Sequence, residues 1–197
     1  MMTIKTKLEE SDIIDTKEYE SIRNKFRKDI VEEKKLRRIA VGPYATFYFE
    51  SYDTMWYQVQ EMLRIEKGGQ EQIKDELLAY NPLIPDGLEL VATIMFEIDN
   101  PDIRTAFLSG LGGVEEKITM RVGEKMITAV PEEDVDRTSA TGKASSVQFV
   151  HFNFSEKEIS EFKKNGAQVV LGINHPKYSH STTLQEDSRV TLAKDFK

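Results

Sequence analysis

Imidazole is scarce in this chain. Of 197 residues only His151, His175 and His180 carry it, and the last two share one short segment, Asn174-His175-Pro176-Lys177-Tyr178-Ser179-His180. Imidazole nitrogen is a good ligand for zinc, iron, nickel or copper, and carboxylate oxygens complete many such sites. His175 and His180, with Glu50 and further oxygens from Glu61 and Glu66, are therefore the candidate ligands for a divalent transition metal. Two histidines five apart do not share a helix face as an i, i+4 pair does, and no complete metal-ligand motif is present. The plainer reading gives His175 and His180 loop hydrogen bonds and packs His151 in or beside a strand.

Gln58, Glu61 and Arg64 form a second candidate. They fall at three-residue steps, so on a helix their side chains can meet. A Glu–Arg pair buried against a sheet marks either a pocket or a structural network. In a pocket, Glu61 with a raised pKa would serve as general acid or base, with Arg64 beside it. On an exposed face the same residues are a local ion pair. The aromatic run Phe47, Tyr48, Phe49 and the pair Trp56, Tyr57 can line a ligand site, although aromatics at strand and helix spacing are more often core. The segment Thr138–Ser146 contains Gly-Lys-Ala-Ser but is no phosphate-binding loop: its first glycine is missing, Ala follows Lys, and a strand follows instead of a helix. There is no cysteine, so thiol nucleophiles, disulfides and cysteine-ligated clusters are excluded from the chain itself.

These residues need a scaffold. Hydrophobic residues make up 39% and charged residues 31%, the balance of a globular protein with a heavily charged surface. The net charge of -7 argues against a dedicated nucleic-acid binder, which carries a basic footprint. The basic run from Arg23 to Arg38 is interrupted by Asp29, Glu32 and Glu33 and reads as a solvated helix face. Residues 1–20 are mostly polar and no apolar run is long enough to span a bilayer, so a cytoplasmic protein is expected.

Residues 1–15 lack periodicity and read as a flexible arm. Thr16 caps a helix to about Arg38, with Tyr19, Ile22, Phe26 and Ile30 on one stripe. Tyr44 to Glu50 reads as a strand. Asp53 or Thr54 caps a helix from Met55 to Lys67, which Gly68-Gly69 stops, and a third helix runs to Ala79 before Asn81-Pro82. Leu88 to Asp99 alternates as a strand with one wholly apolar face. Asn100-Pro101 opens a short helix. Glu116–Val122 and Lys125–Val130 form a hairpin about Gly123-Glu124. Pro131 to Ser145 is a long, mobile loop. Strands at Val147–Phe154 and Ala167–Ile173 flank a helix that Ser155 and Glu158 begin with capping-box spacing. Asn174–Ser181 reads as a loop, before a final helix to Asp195. The expected fold class is α+β: N-terminal helices packed on a mainly antiparallel sheet of about five to six strands. Residues 16–197 form one domain, helical over 16–80 and sheet-rich over 88–197.

The stretch FESYDTMWYQVQEMLRIE, Phe49 to Glu66, is distinctive. With Ala79–Pro85, Glu89–Thr93 and Gly172–Tyr178 it resembles the uncharacterised bacterial family known as domain of unknown function 3501, over nearly the whole chain. The resemblance implies no catalytic residues. It implies a setting, since genes of that family lie beside rubrerythrin-like and iron–sulfur protein genes. The function expected is therefore an accessory or partner-binding protein in a redox or stress setting, acting as a homo-oligomer or with a rubrerythrin-like or iron–sulfur partner. The alternative is a small metal-dependent enzyme or metal-binding protein using His175, His180 and a glutamate.

Overall fold

The computed structural model describes residues 4–132, 138–139 and 142–197. Helix α1 (Thr16–Arg37) starts where the Asp15 carboxylate accepts from the amides of Lys17 and Glu18. Asp15, one residue before the expected Thr16, is thus the cap, satisfying two amides that have no partner inside the helix. The chain passes directly into β1 (Arg38–Val41), reverses at Gly42 and returns as β2 (Ala45–Phe49). Gly42 has φ +71 and lies so close to His180 and Tyr178 that an added Cβ would meet them at 2.6 to 2.7 Å; only glycine fits that reversal.

Helix α2 (Tyr52–Glu66) begins before the expected Asp53 or Thr54 cap, because Ser51 and Thr54 form a reciprocal capping box. It is followed by α3 (Gly69–Tyr80), β3 (Glu89–Phe96) and α4 (Pro101–Leu108), which Asn100 caps as its Asn-Pro pair predicts. The hairpin β4 (Ile118–Val122) and β5 (Lys125–Thr128) turns at Gly123. A two-residue strand, β6 (Val130–Pro131), precedes β7 (Val147–Asn153). Ser155 and Glu158 cap α5 (Glu156–Lys163) in the predicted box. The chain ends with β8 (Val169–His175), β9 (Tyr178–Thr183) and α6 (Glu186–Leu192). Of the stretch expected to be a mobile loop, residues 133–137 and 140–141 lie outside the described residues.

The strands form two sheets, β1-β2-β3-β7-β6 and β5-β4-β8-β9, with every pairing antiparallel. The α+β class with N-terminal helices on an antiparallel sheet is what the chain adopts. A second, four-stranded sheet extends the expectation of five to six strands. Part of it was hidden because Asn174–Ser181 reads as a loop: His175 pairs with Tyr178 across Pro176-Lys177. β9 is an edge strand of mostly exposed Ser, His and Thr, so it has no apolar alternation to betray it.

Strand alternation sorts the first sheet into two faces. Phe47, Phe49, Leu90, Ala92, Ile94, Val150 and Phe152 share one buried cluster with Ile118, Met120, Val122, Val169, Leu171 and Ile173 of the second sheet. On the opposite face Val91 joins Met55, Val59, Leu77, Leu83 and Ile84, so α2 and α3 cover it. The residues 125–131 carry the chain from one sheet to the other. At the far edge the Tyr178 hydroxyl donates to Val41 O at 2.7 Å and accepts from Tyr44 N and Ala45 N, both at 3.0 Å.

The segment read as an arm makes specific contacts over its described part. Leu8 is buried and exchanges two hydrogen bonds with the Asn81 side chain at 2.7 and 3.0 Å, and Trp56 Nε1 donates to Asp12 O at 2.8 Å. No described helix is long and apolar enough to cross a membrane.

Candidate functional site

Glu50 stands where β2 becomes α2. Its backbone amide still bonds to β3, donating to Val91 O at 2.8 Å, while the next residue, Ser51, caps the helix. The strand period turns its side chain to the helix-covered face, with Tyr48, Thr93 and Met95. There the residue is 7% exposed and its carboxylate accepts from Thr93 Oγ1 and Thr54 Oγ1, each at 2.7 Å. Beside it is a cavity of about 430 Å³ lined by Lys34 of α1, Tyr48, Glu50, Met55, Gln58, Tyr80, Leu83, Thr93, Met95, Val147 and Phe149. Gln58 Nε2 reaches the Tyr80 hydroxyl at 3.5 Å. The Lys34 ammonium lies over the Tyr57 ring, 5.9 Å from its centroid. An apolar wall with a few fixed polar groups is the usual make-up of a small-molecule site.

A second cleft, of about 390 Å³, opens on the other side of the same junction and is lined by Lys5, Glu33, Arg37, Ser51, Asp53 and Asp195 among others. Three of its charges, Arg37, Asp195 and Glu33, form one network. Arg37 grips Asp195 through two bonds of 2.7 and 2.8 Å, donates to Glu50 O at 3.3 Å and lies 2.8 Å from Glu33 through Nε. Glu33 accepts from the Ser51 hydroxyl at 2.9 Å. Burial raises the pKa of Asp53, and Glu33 nearby adds to it. This network ties α1, the β2–α2 junction and the C-terminal end together.

A family model described as protein of unknown function (DUF3501) matches residues 7–196. The chain belongs to that family. A crystal structure of a novel protein of unknown function from Burkholderia pseudomallei is 32% identical, covers 96% of this chain and 99% of its own, and superposes with a TM-score of 0.88. None of the curated proteins matches. Three of the segments that carry the DUF3501 resemblance, Phe49 to Glu66, Ala79–Pro85 and Glu89–Thr93, meet around Glu50. They supply Glu50, Met55, Gln58, Tyr80, Leu83 and Thr93 to the cavity wall and Ser51, Tyr52, Asp53 and Pro85 to the neighbouring cleft.

The other candidate residues of this DUF3501 chain lie elsewhere. Glu61 faces α1, where it accepts from Tyr19 Oη at 2.6 Å and from Arg23 Nε and Nη2 at 2.7 and 2.9 Å. The Arg23 guanidinium, aided by the Tyr19 hydroxyl, holds its pKa down to about 2. A carboxyl held that low is a helix-to-helix tie, the opposite of the raised pKa that general acid–base work requires. Arg64 does not meet Glu61 in an ion pair; it pairs with Glu20 of α1 at 2.5 Å. His175 Nδ1 accepts from Lys177 N at 3.2 Å at the β8–β9 turn. The His180 ring packs on Tyr178, centroids 4.5 Å apart. Both histidines belong to the second sheet, whereas Glu50 lies on the face of the first sheet that points away from it. The described residues contain no group of three or more His, Asp or Glu side chains arranged to hold a metal ion.

His151, which read as a packing residue, is more engaged than that. Its Nδ1 meets Glu89 at 2.8 Å and its Nε2 meets Glu132 at 2.7 Å. Burial opposes a charge on the ring, but the two carboxylates outweigh it and raise its pKa. Sequence spacing gave no sign of this, because Glu89 and Glu132 reach His151 only through the pairing of β3, β7 and β6.

Proposed function

We propose that this protein binds a small organic molecule in the cavity between α1–α3 and the outer face of the first sheet, and that it works as an accessory protein rather than through His175, His180 or Glu61. The observation that carries this reading is the cavity itself: about 430 Å³, walled by Met55, Leu83, Met95, Val147 and Phe149, with a fixed polar group at Glu50. That volume lies within the roughly 300–1,000 Å³ of ordinary ligand sites. The carboxylate is immobilised by two threonine hydroxyls, an arrangement suited to orienting a ligand. A redox or iron–sulfur partner, and self-association, belong to this accessory role as the setting in which the ligand is delivered or sensed. The alternative, a metal-dependent activity, requires His175 and His180 of the second sheet to share an ion with a glutamate of the 50–66 segment, which lies at or on the helix-covered face of the first.

A ligand-observed NMR screen with a mixed set of aromatic and aliphatic fragments tests the reading. Binders that are displaced from wild-type protein by filling the cavity with Thr93→Trp or Leu83→Trp are expected. A screen in which no fragment of any charge class binds, or in which every binder is indifferent to both substitutions in folded protein, would reject it.

A further inference from the structure

We propose that the Glu50 cavity takes a ligand bearing an ammonium group on an apolar or aromatic body, an inference that rests on the binding reading above and gives it a chemical class. Glu50 has no counter-charge in ion-pair contact among the described residues. Glu50 is only 7% exposed, and buried carboxylates are ordinarily paired with a cation. Asp195, also buried, follows that pattern with Arg37, as the part-buried Glu61 does with Arg23; the buried Glu76 is held instead by the Gln72 amide. For Glu50 no Lys, Arg or His nitrogen among the described residues comes within ion-pair distance. Arg37 passes close by but donates to the Glu50 carbonyl oxygen, not to its carboxylate.

The remaining valences fit an ammonium. A carboxylate offers about four acceptor positions, and two are taken by Thr54 and Thr93. The Thr93 hydroxyl, having spent its proton on Glu50, presents lone pairs, and Gln58, whose amide nitrogen is turned to Tyr80, keeps its carbonyl as an acceptor. Three acceptors lining one cavity match the three N–H donors of a primary ammonium. Tyr80 lines the same wall, and aromatic rings attract cations, as the Tyr48 ring of this wall does with the Arg38 guanidinium 5.2 Å from its centroid. The body of the ligand then lies along Met55, Met95, Leu83 and Val147, where methionine adapts to irregular shapes. Lys34 on the cavity wall is the one cation lining it among the described residues. It disfavours a second bare positive charge beside it and favours an anionic tail, so a zwitterion such as an apolar amino acid is the better-matched member of the class.

Calorimetric titration of the full chain with four ligands of one shape decides it: phenethylamine, phenylalanine, 2-phenylethanol and 3-phenylpropionate. Binding of at least one of the two ammonium compounds is expected, at least tenfold tighter than the neutral alcohol and the anion, with the preference abolished by Glu50→Gln in protein whose melting is unchanged or raised. Phenylalanine ahead of phenethylamine locates the carboxylate at Lys34, and the order reverses in Lys34→Met; either order supports the ammonium anchor. Alcohol or propionate binding as well as the amines overturns the inference while leaving the cavity a binding site. No binding by any of the four overturns the inference too. Whether the cavity reading falls with it is decided separately by the fragment screen. The four wild-type titrations stand without the variant, so a poorly folding Glu50→Gln does not rescue a negative result.

Discussion

The first sheet has two faces built from the same three strands, and they are not alike. On the inner face Phe47, Phe49, Ala92, Ile94 and Phe152 close against the second sheet, each 0 or 1% exposed. On the outer face the alternate residues Tyr48, Glu50, Thr93, Met95 and Phe149 stand around a cavity under α2 and α3. Two adjacent residues, Phe49 and Glu50, thus have opposite roles. The inner face is filled to exclusion of solvent, which is where apolar burial yields stability. The outer face keeps open volume and a carboxylate that no cation among the described residues pairs with, both of which cost stability. A protein that tolerates such costs in one place commonly does so at its functional site.

That contrast can be broken first where stability is greatest. Phe152→Ala empties part of the inter-sheet core and is expected to lose about 3–5 kcal/mol by urea denaturation, while the folded fraction keeps its ligand affinity. A loss of affinity without loss of stability would reverse the assignment of the faces. Arg37→Met leaves Asp195 buried without its partner and is expected to cost about 3 kcal/mol. Adding Asp195→Leu should recover most of that loss, because the penalty is an uncompensated charge. On the outer face the sign changes: Glu50→Gln should raise the melting temperature of the unliganded protein while weakening an ammonium ligand at least tenfold, about 1.4 kcal/mol.

Two ionic ties outside the cavity give opposite pH signatures. Glu61 is held at about 2 in the folded chain, below its unfolded value. Its contribution is therefore present above an unfolded pKa of about 4.3 and is lost as pH falls toward 2. Stability curves of wild type and Glu61→Gln should draw together as pH falls from about 4 and meet only near pH 2. His151 is raised, so its contribution is complete below about pH 6.5 and fades as pH climbs through its folded value. Comparison with His151→Gln should show a difference that shrinks from pH 6 to pH 9. A constant difference in either experiment would place the shift elsewhere. Smallest of all, Leu78→Ser at a position 79% exposed should change stability by under about 0.5 kcal/mol and leave binding untouched.

Much of this architecture is legible in the sequence because its signals are local. Ser155 with Glu158, Asn100-Pro101 and the alternation from Leu88 each determine an element through neighbours a few residues away. β9 was not legible because an exposed edge strand of Ser, His and Thr needs no apolar period. The candidate site divides the same way. The sequence offers Glu50 as an oxygen ligand, but its partners, Thr54 and Thr93, depend on the first turn of a helix four residues on and a strand 43 residues away. Helical spacing groups Gln58, Glu61 and Arg64. In the fold Glu61 and Arg64 bind α1 while Gln58 lines the cavity, since residues three apart on a helix already diverge in direction when two other elements flank it. The His151 bridge between Glu89 and Glu132 is wholly a product of strand pairing.

Methionines sample both faces, and that permits a direct test. Met55 and Met95 line the cavity, Met120 is sealed in the inter-sheet core and Met126 is exposed on the second sheet. In protein labelled at the methionine methyl carbons, titration with phenylalanine or phenethylamine should shift the Met55 and Met95 resonances together, with one dissociation constant, and leave Met120 and Met126 in place. Shifts confined to Met120 or Met126, or no saturable shift at any methyl, would contradict the assignment of the outer face as the binding site.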